Sequence, residues 1–179
     1  MKKIILLNGQ SGAGKTTVSL ALFNKLNNSF LIEADNLVRV LPWRFNDELQ
    51  KLAVINAASL INNFFNYKYT QGILSSGILN QALLDLLQSK LDQNTKLMYI
   101  WLFADKETRM KRKTARQRDE SDDPKNFHFI DALIPDPGNL IIKNGVYLKM
   151  NSTDKTSKET AEEIYSQIAI ILNNNNLTL

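Results

Sequence analysis

The chain has 179 residues, a formal net charge of +4 and no cysteine, so disulfides, thiolate metal sites and cysteine nucleophiles are excluded. Its length and its 44% hydrophobic content fit one globular domain over residues 1–179. No apolar run approaches the roughly 20 residues of a membrane span, and the absence of cysteine suits a reducing cytoplasm. We therefore expect a cytoplasmic protein without a membrane partner. Its mild positive charge alone does not indicate nucleic acid.

The first half of the chain alternates short apolar runs with stretches of helical periodicity. The pattern predicts a strand, a helix, a second strand and a long helix at 2–8, 15–27, 30–33 and 46–66. Asn46 is a candidate N-cap of the long helix. The large apolar residues of that helix predict its inward face, namely Leu49, Leu52, Ile55, Leu60 and Phe64.

The second half continues the alternation. It predicts strands at 69–76, 96–104 and 146–150, and helices at 79–91, 105–116 and 157–172. Asn144-Gly145 is in addition a hairpin-turn signal. Alternating strands and helices favour an α/β fold with a parallel sheet covered on both faces. In such sheets ligands bind at the carboxyl ends of the strands.

The stretch NGQSGAGKTT follows the first strand and matches the phosphate-loop pattern G-x-x-x-x-G-K-[ST]. Glycines let successive backbone N–H groups point at phosphate oxygens. The lysine supplies a cation for the β- and γ-phosphates, the threonine hydroxyl a ligand for Mg²⁺, and the helix N-terminus favours anions. The candidate nucleotide-binding residues are Gly9, Gln10, Ser11, Gly12, Ala13, Gly14, Lys15, Thr16 and Thr17.

Two carboxylates follow the second strand. Glu33 and Asp35 are two residues apart in FLIEADNL, so both are expected at the carboxyl edge beside the phosphate loop. One can support Mg²⁺, for which we predict Glu33 together with Thr16. The other, Asp35, can accept the proton of an attacking hydroxyl. Asp35 as a simple helix cap is the alternative.

Further along, the stretch RVLPWR offers side chains that could clamp a polar or anionic substrate. These are Arg39, Trp43 and Arg44, of which Arg39 is the preferred candidate. Ordinary surface and core positions are the alternative. Gly77, after the third strand, is a candidate for close backbone approach to the substrate, or else only precedes a helix.

A basic helix follows the fourth strand. Arg109, Arg112 and Arg116 share one helical face, and we favour Arg112 and Arg116 as ligands of ATP that stabilise the transferring phosphoryl group. The polar run DESDDPK that follows predicts a lid over about 112–126. A solvated basic face is the alternative. No acidic residue that could support the metal ion stands at the end of strand three or four, unless Asp105 takes that role. His128 is not expected to be catalytic.

The order of these motifs resembles that of the small P-loop kinases of the shikimate kinase, gluconate kinase and chloramphenicol phosphotransferase type. The matching segments are GQSGAGKTT, IEAD, SSGILN, YIWLFADKETRMKRKTAR and the closing VYLKMNSTDKTSKETAEEI. The resemblance implies a P-loop NTPase three-layer sandwich with a five-stranded parallel sheet in the order 2-3-1-4-5. It also implies ATP as phosphoryl donor and Mg²⁺ as cofactor.

The resemblance further implies that Asp35 faces the acceptor hydroxyl, that Arg112 and Arg116 contact phosphates or adenine, and that residues 151–154 border the adenine. Glu33-Ala34-Asp35 differs from the paired aspartates of shikimate kinases, and their glycine triplet is missing. The acceptor is therefore left open.

These features predict an ATP-dependent kinase acting on a hydroxyl of a small-molecule acceptor, with Lys15, Asp35, Arg112 and Arg116 as catalytic residues. A nucleoside or nucleotide kinase is one alternative, with Trp43, Phe45 and the aromatic residues of 64–69 as candidates for a base pocket. A nucleotide-binding ATPase or switch that transfers nothing is another. A polynucleotide end kinase has only the weak basic patch in its favour, and the sequence does not indicate an oligomeric state.

Overall fold

The computed structural model describes residues 1–41, 46–116, 132 and 134–174. Strands and helices alternate along them. The strands are β1 (Lys3–Gly9), β2 (Ser29–Glu33), β3 (Gln71–Ser75), β4 (Lys96–Phe103) and β5 (Gly145–Asn151). The helices are α1 (Lys15–Phe23), α2 (Asp47–Asn66), α3 (Gln81–Lys90), α4 (Lys106–Arg116) and α5 (Ser157–Asn174), and a 3-10 turn lies at Ala34–Asn36.

The strands form one five-stranded sheet in the order β2-β3-β1-β4-β5, in which every neighbouring pair is parallel. This confirms the α/β class and the strand order. The parallel pairing also shows that the hairpin signal at Asn144-Gly145 is wrong, because Gly145 begins β5 beside Leu97 of β4. Asn144 instead ends the loop that precedes this parallel strand.

Side chains of β1 alternate between two hydrophobic cores, one on each face of the sheet. Ile4 and Leu6 pack with α2 and α3, whereas Ile5 and Leu7 pack with α1 and α5. All four are at most 2% exposed. Burial on both faces explains why the strand is continuously apolar, and shortening any of the four to alanine would cost about 2–5 kcal/mol.

Helix α2 packs mainly through a different face from the one that its large apolar residues predict, although Phe64, one of the predicted residues, does pack against the core. Leu52 and Ile55 are each 42% exposed and Leu60 is 37% exposed. The buried residues of α2 are small ones in the main: Ala53, Val54, Ala57, Ala58, Ile61 and Phe65. The close neighbours of α2 are helix α3 and the 3-10 turn, and small side chains such as these alanines permit close packing of one helix on another.

Helix ends are fixed by local hydrogen bonds. The Asn46 side chain accepts from the Leu49 N–H at 2.9 Å, which confirms this N-cap, and Asn80 caps α3 in the same way through Leu83. Asp105, considered above as a metal ligand, accepts from both the backbone and the hydroxyl of Thr108 at the start of α4. Its carboxylate therefore serves as a helix cap. In the described part, no helix combines the length and apolarity required to cross a bilayer.

Candidate active site

The phosphate loop connects β1 to α1 and forms one wall of a cavity of about 840 Å³ at the carboxyl edge of the sheet. The loop closes on itself through the Ala13 N–H, which donates to the Gln10 carbonyl at 3.2 Å. Gly14, in the left-handed region at φ 96°, is the N-cap of α1. Lining residues from this loop run from Ser11 to Thr17, so the helix N-terminus opens into the cavity.

Lys15 is half-buried at the base of the loop. Its ammonium donates to the carbonyls of Gly9 at 2.8 Å and Gln10 at 3.1 Å. Burial lowers the pKa of Lys15 to about 8, the nearby Asp35 carboxylate opposes this shift, and the cations of α4 reinforce it. The ammonium is thus held by weak carbonyl acceptors in a place where a phosphate would satisfy it better.

Gly12 is required by the close approach of α4 to the loop. Its φ is +82°, and a Cβ there would lie 2.4 Å from the Arg109 carbonyl oxygen. Arg109 itself is 4% exposed, and its guanidinium donates to the Ala104 carbonyl at 3.0 Å and to the Ser11 carbonyl at 3.4 Å. Arg109 therefore braces the loop from behind, and the first arginine of the helical stripe is structural.

Arg112 lines the cavity one turn further along α4. Its guanidinium donates to the Ser152 hydroxyl at 3.2 Å and to the carbonyls of Ser152 and Lys155 at 2.8 and 3.1 Å. The buried Ser152 hydroxyl in turn lies 2.9 Å from the Ala13 carbonyl. The phosphate loop, α4 and the β5–α5 connection are thereby joined. Of residues 151–154, Ser152 lines the cavity.

Arg116, the last residue of α4, also lines the cavity, and so does Lys113. Lys113 is 2% exposed and was missed by sequence reasoning. A pattern of arginines three and four residues apart does not include a lysine on the same helical face. Its position four residues after Arg109 is the signal that could have found it.

The opposite wall of the cavity comes from the end of β2 and the turn that follows. Glu33, Asp35 and Arg39 all line it, together with Asn36. The Asn36 amide donates to Glu33 Oε2 at 3.0 Å, and Arg39 donates to Asn36 Oδ1 at 3.1 Å. Asp35 is exposed, and its charge acts on Lys15 across the cavity. The two predicted carboxylates are thus brought to the phosphate loop.

Oxygen ligands for a metal are available beside the loop. Thr16 and Glu33 line the same cavity, and Mg²⁺ characteristically takes one or two protein oxygens together with phosphates and waters. Among the described residues no group of three or more histidine and acidic side chains stands ready to hold an ion. The buried Ser75 hydroxyl, in register opposite Glu33 on β3, is a further lining group that sequence reasoning missed.

Gly77 lies at the same edge, where its φ of +95° brings the backbone against Ala34. An added Cβ there would be 2.9 Å from the Ala34 Cβ. Among the described residues that line the cavity, Gly77 is not found. The neighbouring Ile78 is held by Asn8, whose Oδ1 accepts its N–H at 3.1 Å, and by Tyr99, whose hydroxyl donates to its carbonyl at 2.7 Å.

The aromatic residues proposed for a base pocket are at the wrong end of the sheet. Phe64 stacks on Phe30 with ring centroids 4.5 Å apart, and Tyr69 meets both rings edge-on. Phe30 is at the amino end of β2, whereas the cavity is at the carboxyl end. The other sequence candidates Trp43, Arg44, Phe45, Arg118 and His128, and the lid beyond residue 116, lie outside the described residues.

Comparisons with known proteins agree with this architecture. A family model of chloramphenicol phosphotransferase-like proteins matches residues 2–116. No curated protein matches the sequence at a significant level.

Solved structures similar to this chain share its fold at low sequence identity. A gluconokinase from Sinorhizobium meliloti 1021 is 14% identical, with coverage of 98% of this chain and 96% of that chain and a TM-score of 0.73. An APS kinase from Mycobacterium tuberculosis in complex with AMPPNP and APS is 16% identical, with coverage of 94% and 98% and a TM-score of 0.68. A shikimate kinase from Acinetobacter baumannii in complex with shikimate is 19% identical, with coverage of 97% and 94% and a TM-score of 0.55.

Proposed function

We propose that this chain, which belongs to the chloramphenicol phosphotransferase-like family, transfers the γ-phosphate of ATP to a hydroxyl group of a small molecule. One observation carries the proposal: a single cavity is lined by the phosphate loop, by the carboxylates after β2 and by the cations of α4. A phosphate-binding wall and an acidic wall that face each other are the two parts that phosphoryl transfer to an alcohol requires.

In the proposed reaction, Lys15 and the N–H groups of the loop bind the β- and γ-phosphates. Asp35 accepts the proton of the acceptor hydroxyl as the hydroxyl oxygen attacks the γ-phosphorus. The bond from that phosphorus to the β,γ-bridging oxygen breaks in line, and ADP leaves. Arg112 and Arg116 stabilise the charge that develops on the transferring group, and Arg39 belongs to the acceptor side.

The residues present fit Mg²⁺, with Thr16 and the Glu33 carboxylate as the groups that would hold it. When bound, the ion neutralises charge on the β- and γ-phosphates. Glu33 is suited to this because its carboxylate is oriented by the Asn36 amide at 3.0 Å, as metal-supporting carboxylates commonly are.

ADP release measured with and without a panel of acceptors tests the proposal. The panel contains amphenicol alcohols, neutral sugars, sugar acids, nucleosides and a 5′-hydroxyl oligonucleotide. Release that depends on one of the small alcohols supports it. An equal rate without any acceptor would instead indicate an ATPase or switch, and release stimulated only by nucleosides would indicate a nucleoside kinase.

A further inference from the structure

A second lysine lies at the phosphate side of the cavity. Lys113 lines the cavity from α4 and is 2% exposed. Lys111, two residues earlier on the same helix, shows the contrast: its side chain is 73% exposed and pairs with Glu107 at 2.8 Å. Helical geometry directs residues two positions apart to different faces, so α4 presents one lysine to solvent and the other to the cavity.

The charges around Lys113 indicate what the cavity is built to receive. Lys15, Arg112 and Arg116 line the same cavity, with the Glu33 and Asp35 carboxylates on its opposite wall. The Lys113 charge is one of those that lower the pKa of Lys15, whereas Asp35 raises it. Like charges gathered in a partly desolvated place repel one another. A polyanion relieves that repulsion by accepting hydrogen bonds from several of the cations at once.

We infer that Lys113 binds the phosphates of the nucleotide, as a second ammonium that α4 contributes opposite the lysine of the phosphate loop. The inference rests on the proposed function, since it assigns a further ligand in that same site. It divides α4 between two tasks. Arg109 braces the phosphate loop through main-chain carbonyls, whereas Lys113 and Arg116 face the bound anion.

A purely structural lysine is the competing explanation. In that case its aliphatic stem fills space under the cavity, and its replacement would weaken folding and every ligand alike. A phosphate ligand has a different signature, because its loss weakens binding according to the number of phosphates that the ligand carries.

Isothermal titration of ATP, ADP, AMP and adenosine against the wild type, Lys113→Met, Lys113→Arg and Lys111→Met separates the two. Methionine keeps the length of the stem and removes the charge. We expect Lys113→Met to bind ATP about 10- to 100-fold more weakly, the usual loss for a hydrogen bond to a charged group. The deficit should shrink from ATP to AMP, with adenosine unchanged. Lys113→Arg should retain most of the affinity, and Lys111→Met all of it.

An undiminished affinity of Lys113→Met for ATP, or an equal loss for ATP and adenosine, would overturn the inference. The wild-type titration keeps this result apart from the proposed function. A wild type that fails to bind ATP defeats that function, whereas a wild type that binds and transfers beside an unaffected Lys113→Met defeats only the role of Lys113.

Should Lys113→Met not fold, the intact protein gives the answer by NMR of the lysine ¹³Cε and ¹⁵Nζ nuclei, assigned with Lys113→Arg. The Lys113 signals are expected to move when ADP or AMPPNP is added and to stay in place with adenosine. Signals that move with both ligands or with neither would contradict the inference.

Discussion

On the phosphate side of the cavity, Lys15, Arg109 and Arg112 donate hydrogen bonds to main-chain carbonyls. On the acceptor side, Asp35 and Arg39 are exposed side chains of the segment that follows β2. The cations of the phosphate side are therefore held by main-chain carbonyls, which every sequence provides. Glycines and helix ends fix the arrangement of those carbonyls. The acceptor side depends on the identity of a few side chains.

This difference separates a general function from a specific one. A triphosphate is the same in every nucleotide, and a backbone cradle can bind it in many proteins. The acceptor must be recognised by the side chains that face it. Variants on the two sides should consequently affect different quantities: nucleotide affinity on one side, and transfer at unchanged nucleotide affinity on the other.

The largest effect is expected from Lys15→Met, which removes the loop ammonium. ATP affinity should fall strongly, and turnover should drop to the level of the protein-free reaction, because the charge of the transferring phosphoryl group is no longer neutralised. Coupled-assay turnover and titration with ADP measure the two losses. Lys3→Met, at the amino end of β1, is the control. Full activity in Lys15→Met would contradict the assignment of the phosphate loop.

The substitution Asp35→Asn should impair the acceptor side of the cavity and leave nucleotide binding largely intact. Asparagine has nearly the same shape but cannot accept the hydroxyl proton as a carboxylate does. Transfer should therefore fall by about 10²–10⁴-fold, the usual contribution of a general base. ATP affinity is expected to stay within a factor of a few, as titration can verify. Asp47→Asn, in the first turn of α2, is the matched control, and an unchanged rate in Asp35→Asn would exclude Asp35 as the general base.

The sequence predicts most of this fold because its local signals agree with one another. The glycine loop lies between an apolar strand and a helix, and the alternation of strands and helices is regular. The inward face of α2 is the informative error. Leu52 and Ile55 suggested one face, but the residues that α2 buries include Ala53 and Ala57, and its closest large neighbour is helix α3. The distance at which a helix packs on its neighbour is a tertiary property. The spacing of the larger apolar residues along the sequence therefore does not reveal it.

The position of a site residue was predictable where the spacing of a motif determines it, as for Lys15 and Thr16, which line the cavity. It was less predictable where a role depends on which atoms lie nearby. Arg109 and Arg112 have the same residue type and the same helical face, yet the first braces the phosphate loop and the second joins Ser152 to the cavity. The position of Asp105 in the sequence makes it a candidate metal ligand, but in the structure its carboxylate accepts hydrogen bonds from Thr108.

A smaller effect is expected from Glu33→Gln, at the boundary between the two sides. Glutamine can still accept the Asn36 amide hydrogen bond but lacks the negative charge. The Mg²⁺ affinity of the ATP complex should therefore fall at least about 10- to 100-fold, the loss that follows even when only a partner of a metal ligand is removed. Mg²⁺ titration of turnover and Mn²⁺ titration followed by electron paramagnetic resonance measure it. An unaltered metal requirement would exclude Glu33 from this role.

The smallest effect concerns the charge state of Lys15. Its pKa in the unliganded protein is about 8, below its usual 10.5, and bound phosphate favours the charged form. Above pH 8 binding must therefore take up a proton, and the affinity for ADP should fall with rising pH by at most about tenfold per unit. Adenosine, which has no phosphate, should show a flat profile. Proton uptake on binding is measured by titrating ADP in two buffers of different ionisation enthalpy.

The lowered pKa of Lys15 has the opposite effect on the stability of the fold. Because the pKa of Lys15 is lower in the folded than in the unfolded chain, its burial destabilises the fold fully below pH 8 and less as the pH rises toward 10.5. Rising pH should thus weaken nucleotide binding while relieving this cost to the unliganded protein. A flat ADP profile up to pH 9.5 would show that the Lys15 ammonium is not held in the desolvated position on which the phosphate side of the cavity depends.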